Sequence, residues 1–329
     1  MTTDTIKVEK RVKLSKADKA IEKIDKQAAK LKAQAAAKGQ TSARTLWGDA
    51  FRRIRKNKLA VVAFFWIVFV ALVAITADIW VPQVLGSPTY IDTTQTANLT
   101  MLAPSVEHPM GTDILGRDVM SRVIYGARVS LLVGVIATAI STVIGLVLGS
   151  LAAYFGSITD SIIMRFTDIF MAFPYTLFAI SMMAVLGPGF INIFLAIGLI
   201  GWYSVCRVVR STILQIKEND YVAAARATGA GHWRIITRHI LPNAIAPMLV
   251  YVTMSVGSAI LSEAALSFLG LGIQPPTPSW GLMISEGQSF LAVAPWLTFC
   301  PGAACLVTVL AFTLMGDGLR DALDVKETS

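Results

Sequence analysis

The chain has 329 residues, of which 54% are hydrophobic and 15% are charged, and its mean hydropathy is +0.62. These values exclude an ordinary soluble domain, in which about 25% of residues are charged. The formal net charge of +8 is unevenly placed, because residues 1–60 hold 17 of the 29 Lys and Arg but six of the 21 Asp and Glu. A basic head before an apolar body indicates a membrane protein with a cytoplasmic N-terminus, rather than a nucleic-acid binder.

The N-terminal part divides into two predicted segments. Residues 1–45 form a basic cytoplasmic extension that is partly helical, with apolar residues spaced by three and four. This helix could bind a partner as a coiled coil, rest on anionic lipid, or remain a solvated extension. Residues 46–80 contain a basic anchor (Arg52, Arg53, Arg55, Lys56 and Lys58) and a first transmembrane helix from Leu59 to about Trp80. The anchor should hold its end of that helix in the cytoplasm.

The rest of the chain predicts an external segment (81–125), a membrane core of five further helices (126–315) and a cytoplasmic tail (316–329). Within the core, apolar runs long enough to span a membrane predict helices at about 129–155, 162–186, 190–209, 241–273 and 291–315. The predicted fold is therefore an all-α membrane protein with six transmembrane helices. Six crossings place both termini and the loop 210–240 in the cytoplasm.

Three arginines disagree with this orientation. Arg117, Arg122 and Arg128 lie near the start of the second span, on the predicted outer side. Asp113 and Asp118 are close in sequence, and we expect them to offset part of that positive charge.

Several residues predict how the helices pack. Gly145 and Gly149 have the spacing that lets two helices approach closely. Prolines occur at 174, 247, 295 and 301, where membrane helices tolerate them if a neighbour satisfies the freed carbonyl. Together they indicate either a flexible bundle that lines a path or ordinary packing. The three cysteines (Cys206, Cys300 and Cys305) are interpreted as packing residues.

Charged residues at membrane depth are candidates for a translocation path, because burying them is costly. Arg165 and Asp168 are three residues apart and could pair on one helix face or contact the transported substrate. Glu263 could face the path or form an interhelical hydrogen bond with a polar side chain. Glu286 should be solvated or face a partner. No metal site is expected, since His232 and His239 lack a third ligand nearby.

A polar stretch between two apolar blocks, residues 219–243, has the features of a docking helix. Asn219 or Asp220 can cap its start, an alanine run favours helix, and Gly229 or Gly231 can supply the left-handed residue that ends it. Arg234, Arg238 and His239 then place basic groups before the chain re-enters apolar sequence.

The sequence lacks an energy source of its own. It has no G-x-x-x-x-G-K-[ST] or G-x-G-x-x-G motif, and no nucleophile paired with a base. We therefore expect a non-catalytic membrane subunit that binds no cofactor and is driven by another chain. A stand-alone secondary transporter or channel would need an inverted repeat and coupling-ion carboxylates, which the sequence does not show. A purely structural membrane anchor is a further alternative.

The stretch also resembles a known family. Ala223-Ala224-Ala225, then Gly229, then Leu241-Pro242 reproduce the spacing of E-A-A-x-x-x-G-x₉-I-x-L-P, the shared cytoplasmic loop motif of ATP-binding-cassette (ABC) importer permeases. Ala223 replaces the usual Glu, and His239 replaces the Ile. Residues 108–134 and 263–287 resemble the C-type permease subunit of the dipeptide, oligopeptide and nickel importers.

This resemblance implies a type I importer permease bundle that imports peptides and forms half of the translocation path. It implies a second homologous permease, two ABC ATPases that bind ATP and Mg, an extracytoplasmic solute-binding protein, and surrounding membrane lipid as partners. An importer of nickel or another small solute is the alternative. Residues 220–231 would form the coupling helix, and the coupling positions would be Asp220, Ala223, Ala224, Ala225, Arg226, Gly229, Ala230, Arg234, Leu241 and Pro242. If Asp220 is the N-cap, Ala223 occupies the third helical position, where Glu would complete a capping box.

Overall fold

The computed structural model describes residues 46–84 and 99–323, and every regular element within these ranges is helical. The α-helices are α1 (Leu46–Lys56), α2 (Lys58–Val84), α3 (Val119–Phe155), α4 (Ser157–Ala172), α5 (Tyr175–Leu186), α6 (Phe190–Lys217), α7 (Asp220–Ala227), α8 (His232–Ile235), α9 (Leu241–Phe268), α10 (Trp280–Gly287) and α11 (Trp296–Leu323). A π-helical turn (Ile236–Ile240) joins α8 to α9, and a 3₁₀ turn (Gln288–Phe290) follows α10. The predicted helix within residues 1–45 lies outside the described residues.

Five helical segments in the described ranges are long and apolar enough to cross a membrane: α2, α3, α6, α11, and the continuous run from α8 through α9. The count becomes six if α4 and α5 together make one crossing. The chain divides into two units at the boundary between Phe51 and Arg52.

The predicted third span is not one straight helix. The chain ends α4 at Ala172, restarts at Tyr175, and bends by 86° between the two helices. Pro174 explains the break, because the residue before a proline is pushed out of the α region, and Phe173 has φ −91° and ψ 135°. The predicted span over 162–186, which contains Pro174, therefore consists of two helices rather than one.

Other predicted boundaries moved because local capping decides where a helix starts and ends. The second span starts at Val119 rather than Val129, since Asp118 caps it by accepting the N–H of Ser121 at 2.7 Å. The fourth span continues beyond its predicted end at residue 209 into the first part of the predicted loop and ends at Lys217. The fifth ends at Phe268 and the sixth starts at Trp296.

The long helix α3 packs most extensively against α6. A Cβ atom on Gly145 would lie 2.5 Å from the Cβ of Val205, and one on Gly149 would lie 2.6 Å from the carbonyl oxygen of Cys206. Such distances leave no room for a side chain, so the predicted close helix contact at these glycines is confirmed.

Candidate functional site

The predicted docking helix is present as α7, between the end of α6 and the start of α8. Its N-cap is Asn219, whose backbone carbonyl accepts the N–H groups of Val222 (3.0 Å) and Ala223 (3.3 Å). Asp220 is the first residue of the helix rather than its cap. Ala223 is consequently the fourth helical position, and the capping-box argument for a Glu at 223 was wrong.

The end of α7 is closed by a Schellman motif. The N–H of Ala230 donates to the carbonyl of Ala225 at 3.1 Å, and the N–H of Gly229 donates to that of Arg226 at 3.0 Å. Gly229 has φ +78°, the left-handed conformation that the motif requires. The prediction that a glycine ends this helix is confirmed for Gly229, whereas Gly231 has an ordinary φ of −66°.

Two residues of α7 anchor the helix to the bundle. Val222 is fully buried and Ala225 is 9% exposed, and both pack in a cluster with Ile213, Ile235 and Ile240. The predicted coupling residues Asp220, Ala223, Ala224, Arg226, Gly229 and Arg234 are exposed, as is Pro242. Ala225, Ala230 and Leu241 instead pack on the inner side, so they position the helix.

An open depression of about 590 Å³ lies beside the exposed face of α7. Its lining residues are Tyr221, Ala224, Ala225, Thr228, Gly229, Ala230, Arg234, Arg238 and His239. We call it the coupling depression. It unites five of the predicted coupling positions, and two arginines but no acidic residue occur among the described residues that line it. Its electrostatic character therefore suits an acidic partner surface.

The end of α3 is tied to this region by residues that sequence reasoning missed. The hydroxyl of Tyr154 lies 2.9 Å from Nδ1 of His232, and the two rings meet edge to face. The Nζ of Lys217 donates to the carbonyls of Ala153 (3.1 Å) and Tyr154 (3.3 Å). A lysine beside terminal carbonyls satisfies groups that an α-helix leaves unpaired. These contacts could not be predicted from the sequence, because the partners of each polar side chain are distant along the chain.

The predicted pair of Arg165 and Asp168 does not form. Asp168 instead accepts a hydrogen bond from Arg207 of α6, and Arg165 is exposed. About two helical turns earlier in α4, Asp160 accepts two hydrogen bonds from Arg210, at 2.5 and 2.6 Å. These two ion pairs link α4 to α6. Asp168 therefore pairs with a residue of the neighbouring helix and not with Arg165 of its own helix.

Glu263 is fully buried, and its carboxyl group accepts hydrogen bonds from Ser130 of α3 (2.9 Å) and from Ser267 of its own helix (2.7 Å). The interhelical hydrogen bond that the sequence analysis gave as one of two alternatives is therefore confirmed.

A second cavity, of about 230 Å³, lies among α3, α5, α6 and α9. Its walls carry the hydroxyl groups of Thr138, Ser141, Tyr175, Tyr203, Ser204, Tyr251, Ser255, Ser258 and Ser262, so we call it the hydroxyl cavity. None of the described residues that line it is charged. The three predicted path residues (Arg165, Asp168 and Glu263) do not line it. The sequence analysis did not predict this cavity, because it considered only charged residues as candidates for the path. The recurring serines of α9 were the feature that could have indicated it.

The predicted outer side carries a buried ionic cluster. Asp113 accepts hydrogen bonds from Arg117 and Arg122, both at 2.6 Å, and Arg122 also pairs with Glu286 at 3.0 Å. The expectation that Asp113 offsets the arginines is confirmed, and Glu286 pairs within the chain. Asp118, besides capping α3, lies 2.9 Å from Nδ1 of His108.

Comparison with known proteins covers most of the chain. Residues 145–328 match the family model described as "binding-protein-dependent transport system inner membrane component". Residues 45–104 match the "N-terminal TM domain of oligopeptide transport permease C".

Curated relatives extend this likeness over nearly the whole length. The dipeptide transport system permease protein DppC of Alkalihalophilus pseudofirmus is 43% identical over 88% of this chain and 93% of its own. The glutathione transport system permease protein GsiD of Pectobacterium atrosepticum is 39% identical over 87% of this chain and 93% of its own. The GsiD protein of Escherichia coli O157:H7 is 41% identical over 86% and 91%, respectively.

The fold has a counterpart among solved structures. A chain of the MetNI methionine ABC transporter, in an inward-facing conformation, aligns with a TM-score of 0.52 at 19% identity. The alignment covers 62% of this chain and 97% of that one. The helical bundle, the family matches and the relatives agree: this multi-pass inner-membrane protein belongs to the family of permease subunits of binding-protein-dependent ABC importers.

Proposed function

We propose that this chain imports di- or oligopeptides as one permease of a heterodimer, and that it forms half of the translocation path. The relatives' names support a peptide substrate, because one names dipeptides and the others name glutathione, which is itself a small peptide. An importer of nickel or another small solute is the alternative substrate class. In this proposal both termini and the loop from α6 to α9 face the cytoplasm, as the basic N-terminal residues favour.

The observation that carries the mechanism is the exposed, basic coupling depression. Val222 and Ala225 fix α7 to the bundle while Asp220, Ala223, Ala224 and Arg226 remain available at the surface. A separate ABC ATPase, which binds ATP and Mg, docks at this depression through an acidic surface. Its closure on ATP moves α7, and the contacts of α7 with α6 and the α8–α9 segment pass that motion to the bundle.

Three further parts complete the proposed importer. A second, homologous permease provides the other half of the path, and each permease docks one of two ATPases. An extracytoplasmic binding protein delivers the peptide to the outer side. This chain itself holds no catalytic residue in this scheme, since its role is to provide the path and to receive the motion.

The test is uptake by the assembled complex. The chain is copurified with its partners and reconstituted in liposomes with ATP inside, and uptake of labelled dialanine, glutathione and Ni²⁺ is measured. We expect uptake of a peptide that requires both ATP and the binding protein. Uptake of Ni²⁺ alone would assign the other substrate class. Uptake by this chain without an ATPase, driven by an ion gradient, would refute the importer mechanism.

A further inference from the structure

The hydroxyl cavity has a continuous polar wall on α9. Tyr251, Ser255, Ser258 and Ser262 are spaced by four, three and four residues, so they lie on one face of the helix. The stripe extends over about 16 Å at 1.5 Å per residue. Ser258 is exposed and Ser255 is partly buried, so the cavity is accessible from one side of the bundle.

The serines of this stripe present oxygen lone pairs to the cavity. Ser255 and Ser262 donate their hydroxyl hydrogens to carbonyls four residues earlier in α9, at 2.8 and 2.9 Å. Ser141, on the opposite wall, donates to the carbonyl of Gly198 at 2.7 Å. A hydroxyl that has used its hydrogen can still accept, so these walls are suited to ligands that carry N–H donors.

Thr138 provides the group that points to a ligand. It is 4% exposed and lines the cavity, yet its Oγ1 has no hydrogen-bond partner within the described part of the chain. A buried hydroxyl without a partner destabilises a protein, which makes such groups uncommon unless something else satisfies them. Thr138 can both donate and accept a hydrogen bond.

We propose that the hydroxyl cavity is the site through which this permease binds the transported peptide, by hydrogen bonds to its amide groups and without any ion pair. This inference rests on the proposed function and adds how the substrate is recognised. Serine oxygens accept from peptide N–H groups, and Thr138 completes its hydrogen bonding with a peptide amide. Because no charged residue lines the described walls, the cavity does not select among peptides by charge. Its volume of about 230 Å³ lies below the roughly 300–1,000 Å³ of pockets for drug-sized ligands, and suits a short extended segment.

The test compares two matched substitutions in α3 within the full complex. Thr138→Val removes the hydroxyl but keeps the shape of the side chain. Thr142→Val is the control, since Thr142 also has a buried hydroxyl without a partner among the described residues but does not line the cavity. We expect Thr138→Val to lower peptide uptake roughly two- to tenfold, the effect of losing one neutral hydrogen bond, and Thr142→Val to leave it unchanged. Neither variant should lower the melting temperature, because each removes an unpaired polar group.

Two results would overturn the proposal. One is wild-type uptake by Thr138→Val, and the other is an equal loss of uptake in both variants. A complex that transports a solute other than a peptide would refute the proposed substrate class, and the two variants would then be compared with that solute. With that other solute, a loss of uptake confined to Thr138→Val would show that the cavity lies on the path, but it would exclude the recognition of peptide amides. The experiment thus distinguishes a wrong assignment of the cavity from a wrong proposal for the function.

Discussion

At the scale of single residues, Gly229 has the strictest backbone requirement on the coupling depression. Its φ of +78° closes the Schellman motif, and no heavy atom lies within 4 Å of the position that a Cβ would take. The requirement is therefore conformational and not steric. Gly231, two residues later, has equal space but an ordinary φ of −66°, which makes it a natural control.

We predict that Gly229→Val uncouples transport while Gly231→Val does not. A side chain in the left-handed region costs about 1–2 kcal/mol, equivalent to a roughly 5- to 30-fold loss of the docked conformation. The measurement is ligand-stimulated ATPase activity together with uptake in reconstituted complexes. Both variants should insert and assemble normally. Wild-type stimulation in Gly229→Val would show that the motif does not position the docking surface.

The sequence predicted single residues correctly where the residue type allows only one local conformation. The alanine run and Gly229 predicted a short helix and its end because helix propensity and left-handed conformations are local properties. The N-cap was uncertain because Asn219 and Asp220 are both good caps and are adjacent. That difference of one residue changed the helical position of Ala223 and invalidated the capping-box argument.

At the scale of elements, two ion pairs of unequal burial hold α4 against α6. The side chains of Asp160 and Arg210 are 23% and 31% exposed and form two hydrogen bonds, whereas those of Asp168 and Arg207 are 59% and 48% exposed. Exposed ion pairs contribute about 0–1 kcal/mol because water screens them. The Asp160–Arg210 pair should therefore contribute more to the stability of the fold than the Asp168–Arg207 pair.

We predict that Asp160→Asn destabilises the protein more than Asp168→Asn. The second change should remain within about ±0.5 kcal/mol, as is usual for surface substitutions. Thermal unfolding of the detergent-solubilised complex measures the difference. Since Asp160→Asn leaves Arg210 without its bidentate acceptor, a melting temperature equal to that of Asp168→Asn would contradict this order.

The sequence predicted those helices that can be recognised from the length of their apolar runs. The long spans were found because about 20 apolar residues are needed to cross a bilayer. The break at Pro174 was missed because proline is tolerated in many membrane helices, and only its neighbours decide between a kink and a turn. The partner of Asp168 was missed because Arg207 is 39 residues away in the sequence.

At the scale of the whole molecule, the ionic cluster joins two distant parts of the chain. Asp113 precedes α3, Arg122 belongs to its first turns, and Glu286 lies in α10. Arg122 is 1% exposed and Asp113 is 5% exposed, so water screens their interaction little. The cluster therefore fixes the segment that precedes α3 against α10.

We predict that Asp113→Asn strongly destabilises the fold. Removing one partner of a buried ion pair costs about 3–5 kcal/mol, because the remaining charge is left uncompensated. Glu286→Gln is the matched comparison, since that side chain is 26% exposed and its loss should cost less. Unfolding followed by helical circular dichroism gives both values. Equal melting temperatures for the two variants would contradict this order, because they would show that Glu286 compensates the arginines as much as Asp113 does.

Global arrangement was the part least accessible from sequence. The resemblance of residues 108–134 and 263–287 to one family pointed to the two segments that contain this cluster. It could not show that Arg122 binds both Asp113 and Glu286, because the Arg122–Glu286 contact joins positions 164 residues apart. The hydroxyl cavity likewise exists only because four helices bring their small polar residues together.

The length of α3 has a mechanical consequence. Its 37 residues extend over about 55 Å, from the ionic cluster at one end to Tyr154 and the Tyr154–His232 contact at the other. Thr138 and Ser141 lie near its midpoint, in the wall of the hydroxyl cavity. A rigid rod held at one end and tilted through a small angle displaces its far end by the full length times that angle, and its midpoint by half as much. A movement of α7 against the Tyr154 end of this helix is therefore passed, at about half its amplitude, to the cavity wall near the midpoint, with no intervening joint.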